Sequence, residues 1–206
     1  MIKWVLFDFG GVIAEEGFRK GLEAIAGENG LDAGQFVSIA NELMYVTGYV
    51  VGQVDEHAYW GAVRRATLVK GTDGELRERI LPRFVFRQAM LDEVARLRSR
   101  GFRVGILSDQ TDWLDEIDDR SPFKSLFDRV FNSYYLKRSK RDTGLFRAIA
   151  AEIGAAPWEI LFVDDNEGNA ARATSQDWNT IVFRGVDRFT LEAQEVIDKA
   201  ALVKSQ

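Results

Sequence analysis

The chain of 206 residues contains no cysteine and a single histidine, His57. Without cysteine there can be no disulfide, no thiolate metal site and no cysteine nucleophile. A single histidine also excludes a metal centre built from several imidazoles. Thiol chemistry and histidine-rich metal sites are therefore outside the functions that this chain can perform.

The chain also lacks a surplus of basic residues and any long apolar run. It has 27 Lys and Arg against 32 Asp and Glu, a formal net charge of −5, which argues against nucleic acid or an anionic membrane as a partner. No stretch approaches the ~20 apolar residues of a membrane span. Lys3 and Asp8 interrupt the N-terminal apolar run, and no signal-peptide cleavage pattern follows. We therefore expect a cytoplasmic protein, either a monomer or a homodimer.

What is present is an ordinary globular composition, 46% hydrophobic and 29% charged. Apolar, β-favouring runs predict five strands, of which the first, second and fourth read as buried on both faces of a parallel sheet. The predicted strands are residues 2–8, 102–108, 129–133, 160–164 and 180–184. Helical spacing of apolar residues in 89–100 and 143–153 completes an alternation of strands and helices. This order predicts an α/β, Rossmann-like, doubly wound parallel sheet.

Residues 15–86 interrupt this alternation, because they contain helical patterns and no convincing strand. The segment opens just after the first strand. We therefore predict a core formed by residues 1–14 and 87–206, with residues 15–86 inserted as an α-helical cap over the strand end.

Polar residues follow successive predicted strands. They are, in chain order, Asp8, Ser108 with Asp109, Lys140 after the third strand, and Asp164 with Asp165. Because the carboxyl ends of parallel strands meet at one edge of a sheet, we expect these side chains to converge on one cleft.

Taken singly, most of these residues also have structural explanations. Asp8 before two glycines fits a turn, Ser108 fits a helix cap, and Lys140 fits a solvated charge. The adjacent Asp164 and Asp165 differ, because two acids that close an apolar strand repel each other unless a cation offsets them. A Mg²⁺ ion held by oxygen ligands meets that need.

Four stretches resemble the four sequence motifs of the haloacid dehalogenase superfamily. They are Asp8-Phe9-Gly10-Gly11-Val12, Leu107-Ser108-Asp109, Lys140 and Phe162-Val163-Asp164-Asp165-Asn166. The resemblance runs over the whole chain, and residues 15–86 are similar to the small α-helical cap of one large subgroup.

The resemblance implies a hydrolase that acts on a small phosphorylated metabolite. Asp8 would be the nucleophile that forms an aspartyl-phosphate. Ser108 would hold a phosphoryl oxygen, with Asp109 beside it at the substrate. Lys140 would neutralise charge on the nucleophile and on the phosphoryl group.

The resemblance also implies a magnesium cofactor. Its ligands would be Asp8, the Gly10 carbonyl oxygen, Asp164 and Asp165. Asn169, one helical turn past Asp165, is predicted to brace this site.

The chain departs from the pattern at Gly10, where the family's phosphatases have a second aspartate. That aspartate protonates the leaving group and then activates water, and such a group contributes about 10²–10⁴-fold, roughly 3–5 kcal/mol of barrier. We therefore expect a preference for leaving groups that need little protonation, for example those of sugar 1-phosphates.

Two other functions stay open at this point. The 2-haloacid dehalogenases also lack the second aspartate and release halide without a proton, but they lack the acidic pair at Asp164 and Asp165. A non-catalytic or regulatory relative is the other alternative, since Arg141 stands where proline is common and Asp109 where asparagine is common.

Overall fold

In the computed structural model, five parallel strands form one sheet at the centre of the molecule. The structure describes residues 1–202, with side chains through Ala200. The strands are β1 Trp4–Phe7, β2 Arg103–Ser108, β3 Arg129–Asn132, β4 Ile160–Asp164 and β5 Asn179–Val182. Their order across the sheet is β3-β2-β1-β4-β5. Trp4 pairs with Arg103 on one side and with Ile160 on the other, so β1 is the central strand.

Helices precede and follow the strands along the chain. Their bounds are α1 Gly17–Asn29, α2 Ala33–Val46, α3 Glu56–Thr67, α4 Asp73–Glu78, α5 Gln88–Ser99, α6 Trp113–Arg120, α7 Ser133–Leu136, α8 Gly144–Glu152, α9 Glu167–Thr174 and α10 Val186–Leu202. Short 3₁₀ turns occupy Tyr49–Val51, Leu81–Arg83, Lys124–Leu126 and Pro157–Glu159.

Alternate side chains of the sheet face two different helical layers, as the period of two in a strand requires. Phe7 packs edge-on against Phe189 of α10 at 5.7 Å between ring centroids. On the opposite face, Phe162 packs against Phe146 of α8 at 5.9 Å. Both faces of the central strands are therefore buried, which is why their sequences are continuous apolar runs.

The predicted α/β, Rossmann-like fold is confirmed, and each of the five predicted strands is present. The fourth strand has the predicted bounds, and the others differ from them by at most two residues at either end. The first strand ends at Phe7 instead of residue 8, but the Asp8 N–H still donates to Val163 O at 2.8 Å. Asp8 thus lies immediately past the last paired residue of the central strand.

Residues 15–86 contain α1 to α4 and no strand in their described structure. The two ends of this segment lie side by side: Glu15 N donates to Val85 O at 2.8 Å, and Arg87 N donates to Ile13 O at 2.9 Å. The division into a core and a cap stays a prediction, and the last residues of the predicted core, 203–206, lie outside the described residues.

In the part of the chain that is described, none of the helices combines the length and the apolar character required to cross a membrane.

Candidate active site

The residues predicted to converge do meet, at the carboxyl edge of the sheet. Asp8 follows β1, while Ser108 and Asp164 are the last residues of β2 and β4. Lys140 comes from the loop between α7 and α8. The side chains of Asp8, Ser108, Lys140 and Asp164 are all buried.

Lys140 is the central cation of this cluster and is only 1% exposed. Its Nζ lies 2.7 Å from Asp8 Oδ2 and 2.7 Å from Asp164 Oδ2. Burial acts to lower the pKa of Lys140, but Asp164, Asp8 and Asp109 outweigh it and hold the pKa above its usual value. The ammonium is thus a fixed positive charge between two carboxylates, and the alternative of a solvated lysine is wrong.

Asp8 is held in one orientation by three donors. Its Oδ1 accepts from Ser108 Oγ at 2.5 Å and from the Phe9 N–H at 2.7 Å, while Oδ2 faces Lys140. Burial raises the pKa of Asp8 to about 8, and Lys140 opposes that rise. The Ser108 hydroxyl bonds Asp8, and the helix that follows begins only at Trp113 with Asp112 as its N-cap, so Ser108 does not cap that helix.

Three carboxylates form an oxygen cluster suited to a divalent metal. One oxygen each from Asp8, Asp164 and Asp165 lie within 4.8 Å of one another. Asp165 is half-buried, and within the described residues its side chain forms no ion pair. Burial and the neighbouring Asp164 raise the pKa of Asp165. A hard cation with oxygen ligands fits this donor set.

The two glycines after Asp8 have different surroundings. Gly11 has a φ of +82°, and a Cβ there would overlap the Asp165 carboxylate. A Cβ on Gly10 would instead meet ordinary contacts, with Phe84 Cε1 at 3.4 Å, Gln110 Nε2 at 3.6 Å and Glu16 Oε2 at 3.7 Å. Gly11 is therefore required by the close approach of Asp165, whereas a side chain at position 10 is sterically possible.

Asn169 binds the carboxylate of Asp164, as predicted for a residue that braces the metal site. Its Nδ2 donates to Oδ2 of Asp164 at 3.0 Å and to Oδ1 at 3.2 Å. Arg172, which sequence reasoning missed, donates from Nη2 to Asn169 Oδ1 at 2.6 Å and from Nε to the Lys140 carbonyl oxygen at 2.7 Å. The Arg172 guanidinium therefore holds both the main chain of Lys140 and the Asn169 amide that binds Asp164.

Asp109 does not present a free carboxylate. Its Oδ1 accepts from the Lys140 main-chain N–H at 2.8 Å, and its Oδ2 accepts from Tyr45 OH at 3.3 Å. Burial raises the pKa of Asp109. The Arg141 guanidinium carbon lies 3.4 Å from the centroid of the Tyr45 ring. Helix α2 thus contacts the loop after β2 and the loop between α7 and α8.

The cleft above Asp8 is lined from both sides. Residues 15–86 contribute Glu16, Phe18, Asn41, Met44, Tyr45 and Val50. The remaining walls include Ser108, Asp109, Gln110, Lys140, Asp165 and Asn169. Sequence reasoning missed Glu16, Asn41 and Gln110, because only their tertiary positions bring them to the cleft.

Known structures with the same fold include HAD family proteins and a haloacid dehalogenase. A HAD family enzyme from Bacteroides thetaiotaomicron, solved with magnesium and inorganic phosphate, is 21% identical with a TM-score of 0.72, covering 89% of this chain and 95% of that chain. A predicted HAD-like family hydrolase from Porphyromonas gingivalis is 19% identical with a TM-score of 0.75, covering 96% and 98%. L-2-haloacid dehalogenase from Xanthobacter autotrophicus, with chloropropionic acid covalently bound, is 18% identical with a TM-score of 0.64, covering 87% and 76%.

The sequence comparisons agree with the fold. No curated protein matches this chain. The sequence model of the haloacid dehalogenase-like hydrolases, however, matches residues 2–173, which include Asp8, Ser108, Lys140 and Asp164. The chain therefore belongs to the haloacid dehalogenase-like hydrolase family.

Proposed function

We propose that this chain is a magnesium-dependent phosphatase that hydrolyses a small phosphorylated metabolite through an aspartyl-phosphate on Asp8. The observation that carries the proposal is the placement of Lys140 Nζ at 2.7 Å from both Asp8 and Asp164. The carboxylate of Asp165 lies beside them and forms no ion pair within the described residues. This arrangement suits a nucleophilic carboxylate that must approach an anionic phosphate.

In the first step, an Asp8 carboxylate oxygen attacks phosphorus, and the bond from phosphorus to the leaving-group oxygen breaks with its electron pair on that oxygen. Ser108 and Lys140 would bind the phosphoryl oxygens and offset their charge. Water then attacks phosphorus, and the electron pair of the Asp8–phosphorus bond returns to the carboxylate. Magnesium bound by Asp8, the Gly10 carbonyl, Asp164 and Asp165 would lower the repulsion between the carboxylate and the phosphate.

The proposed substrates have leaving groups that depart without help from an acid. Gly10 supplies no proton donor next to Asp8, so esters of weakly basic oxygens, such as sugar 1-phosphates and aryl phosphates, should react faster than alkyl monoesters. Rates across a series of phosphate esters should therefore fall as the pKa of the leaving group rises. Equal rates throughout the series would contradict this part of the proposal.

A 2-haloacid dehalogenase is the second candidate, because a neighbour of the same fold carries chloropropionic acid. The adjacent Asp164 and Asp165 argue against it. Lys140 pairs with Asp164, but halide displacement needs no metal and would leave Asp165 without a paired cation among the described residues. A non-catalytic or regulatory member of the family would also keep the fold.

The deciding experiment measures p-nitrophenol release from p-nitrophenyl phosphate with Mg²⁺ and with EDTA, beside Asp8→Asn. A phosphatase shows Mg²⁺-dependent release that the Asp8→Asn variant lacks. Chloride release from 2-chloropropionate in EDTA would instead favour the dehalogenase. Magnesium binding lost in Asp165→Ala, with no turnover of any substrate, would favour the non-catalytic alternative.

A further inference from the structure

A carboxylate from outside the four family motifs, that of Glu16, lines the same cleft as Asp8. Glu16 stands just before α1, and its Oε2 is 3.7 Å from the point where a Cβ on Gly10 would lie. An aspartate at position 10 would have its carboxyl carbon bonded to that Cβ. An aspartate at position 10 and the native Glu16 would therefore bring a carboxylate to the same part of the cleft, although the two positions are six residues apart in the chain.

We propose that Glu16 is the general base that activates water for hydrolysis of the aspartyl-phosphate. Gly10 has no side chain that could accept the proton from that water. This inference rests on the proposed phosphatase function. It concerns the second half-reaction only, so the expected preference for good leaving groups in the first half-reaction is unchanged.

The two oxygens of Glu16 have separate surroundings. Oε1 accepts the Arg19 N–H at 3.2 Å and so caps α1, which fixes the carboxylate in place. Oε2 points toward Gly10 and the cleft that Asp8 lines. Within the described residues no cation forms an ion pair with Glu16, which leaves Oε2 available to accept a proton. The Gln110 amide also lies near this space, with its Nε2 3.6 Å from the same point.

The neighbouring residue supplies a contrast. Glu15 is paired with Lys20 at 2.7 Å and with Arg87 at 3.1 Å, and its carboxylate is not among the groups that line the cleft. Adjacent glutamates thus have different surroundings: one is neutralised by cations at the surface, and the other faces the position next to the nucleophile.

The proposed step balances as follows. A water oxygen forms a bond to phosphorus, and one water proton passes to Glu16 Oε2. The bond from phosphorus to the Asp8 oxygen breaks, and its electron pair restores the Asp8 carboxylate. Inorganic phosphate leaves, and Glu16 returns its proton to solvent before the next turnover.

The test compares Glu16→Gln with wild type in rapid-quench assays with p-nitrophenyl phosphate and Mg²⁺. Glutamine keeps the oxygen that caps α1 but cannot accept the proton, so steady-state turnover should fall about 10²-fold. The first turnover should stay fast, giving a burst of one p-nitrophenol per enzyme and a trapped phosphoryl-enzyme. The Glu15→Gln control should behave as wild type.

A second variant distinguishes the loss of a proton acceptor from a structural defect in Glu16→Gln. Because a Cβ at position 10 meets only ordinary contacts, Gly10→Asp in the Glu16→Gln background should restore at least tenfold of the lost turnover and abolish the burst. Unchanged turnover in Glu16→Gln, or a loss with neither burst nor rescue, would overturn the role of Glu16. Wild-type protein without Mg²⁺-dependent, Asp8-dependent turnover would instead overturn the proposed function itself.

Discussion

The Arg172 guanidinium donates from Nε to the main-chain oxygen of Lys140 at 2.7 Å. The same guanidinium holds Asn169, which in turn bonds both carboxylate oxygens of Asp164. Arg172 lies outside the lining of the cleft, yet it connects the backbone that carries the central cation to the amide that orients an acidic partner. It is therefore a positioning residue for both.

Substitution Arg172→Lys should lower kcat about tenfold and leave KM within about twofold, since removing an outer partner of a ligand typically costs about 10–100-fold in activity. A lysine can replace one of the two contacts but cannot span both. Steady-state kinetics on p-nitrophenyl phosphate measures the effect. Arg147→Lys, at an exposed position of α8, is the matched control and should match wild type.

Replacing Lys140 by Met should remove catalysis and destabilise the metal-free protein. The substitution leaves Asp8 and Asp164 buried without their cation, and breaking such a buried ion pair costs about 3–5 kcal/mol. Urea unfolding in EDTA measures that cost, and kcat should fall at least about 10²-fold. The exposed Lys137→Met is the control. Equal stability of the two variants would show that Lys140 does not hold the two carboxylates.

The five strands and the converging residues could be predicted because they depend on local patterns. Apolar runs identify buried strands, and the motif residues occur at their carboxyl ends. The contact between Tyr45 and Asp109 could not be predicted, because it joins residues far apart in the chain. Glu16 gave no signal either: its sequence neighbours indicate a helix start, and only the fold brings its Oε2 beside Gly10.

Raised carboxyl pKa values make the metal-free protein sensitive to pH. Burial raises the pKa of Asp8 to about 8, above the ordinary value of about 4, so the folded state binds a proton that the unfolded state lacks between these values. The free energy of unfolding should therefore fall as pH rises toward 8. Melting temperatures in EDTA should be lower at pH 8 than at pH 5.

The Asp8→Asn variant should reduce this pH dependence, because it removes the group whose ionisation opposes folding. Carboxyls with lowered pKa values, such as Asp73, titrate below this range and leave the comparison intact. A metal-free wild type that gains stability from pH 5 to pH 8 would contradict the raised pKa of Asp8.

Gly10 and Gly11 provide a matched pair of substitutions. Gly11→Ala would drive a methyl group into the Asp165 carboxylate at a φ of +82°, so it should abolish Mg²⁺-dependent turnover and weaken Mg²⁺ binding. Gly10→Ala meets contacts of 3.4 Å or more and should keep Mg²⁺ affinity within about twofold of wild type. Calorimetric titration with Mg²⁺ distinguishes the two variants. If both lose Mg²⁺ affinity to the same extent, the overlap with Asp165 is not the cause of the loss in Gly11→Ala.

The adjacent ends of the helical segment 15–86 also bear on how such a chain can diverge. Since Glu15 bonds Val85 while Arg87 bonds Ile13, the path of the chain leaves the sheet edge and returns to it at neighbouring points. Insertions, deletions or wholesale replacement between those points need not alter strand order or the spacing of Asp8, Lys140 and Asp164. The walls of the cleft that residues 15–86 supply can therefore change while the sheet and the polar cluster at its edge stay in place.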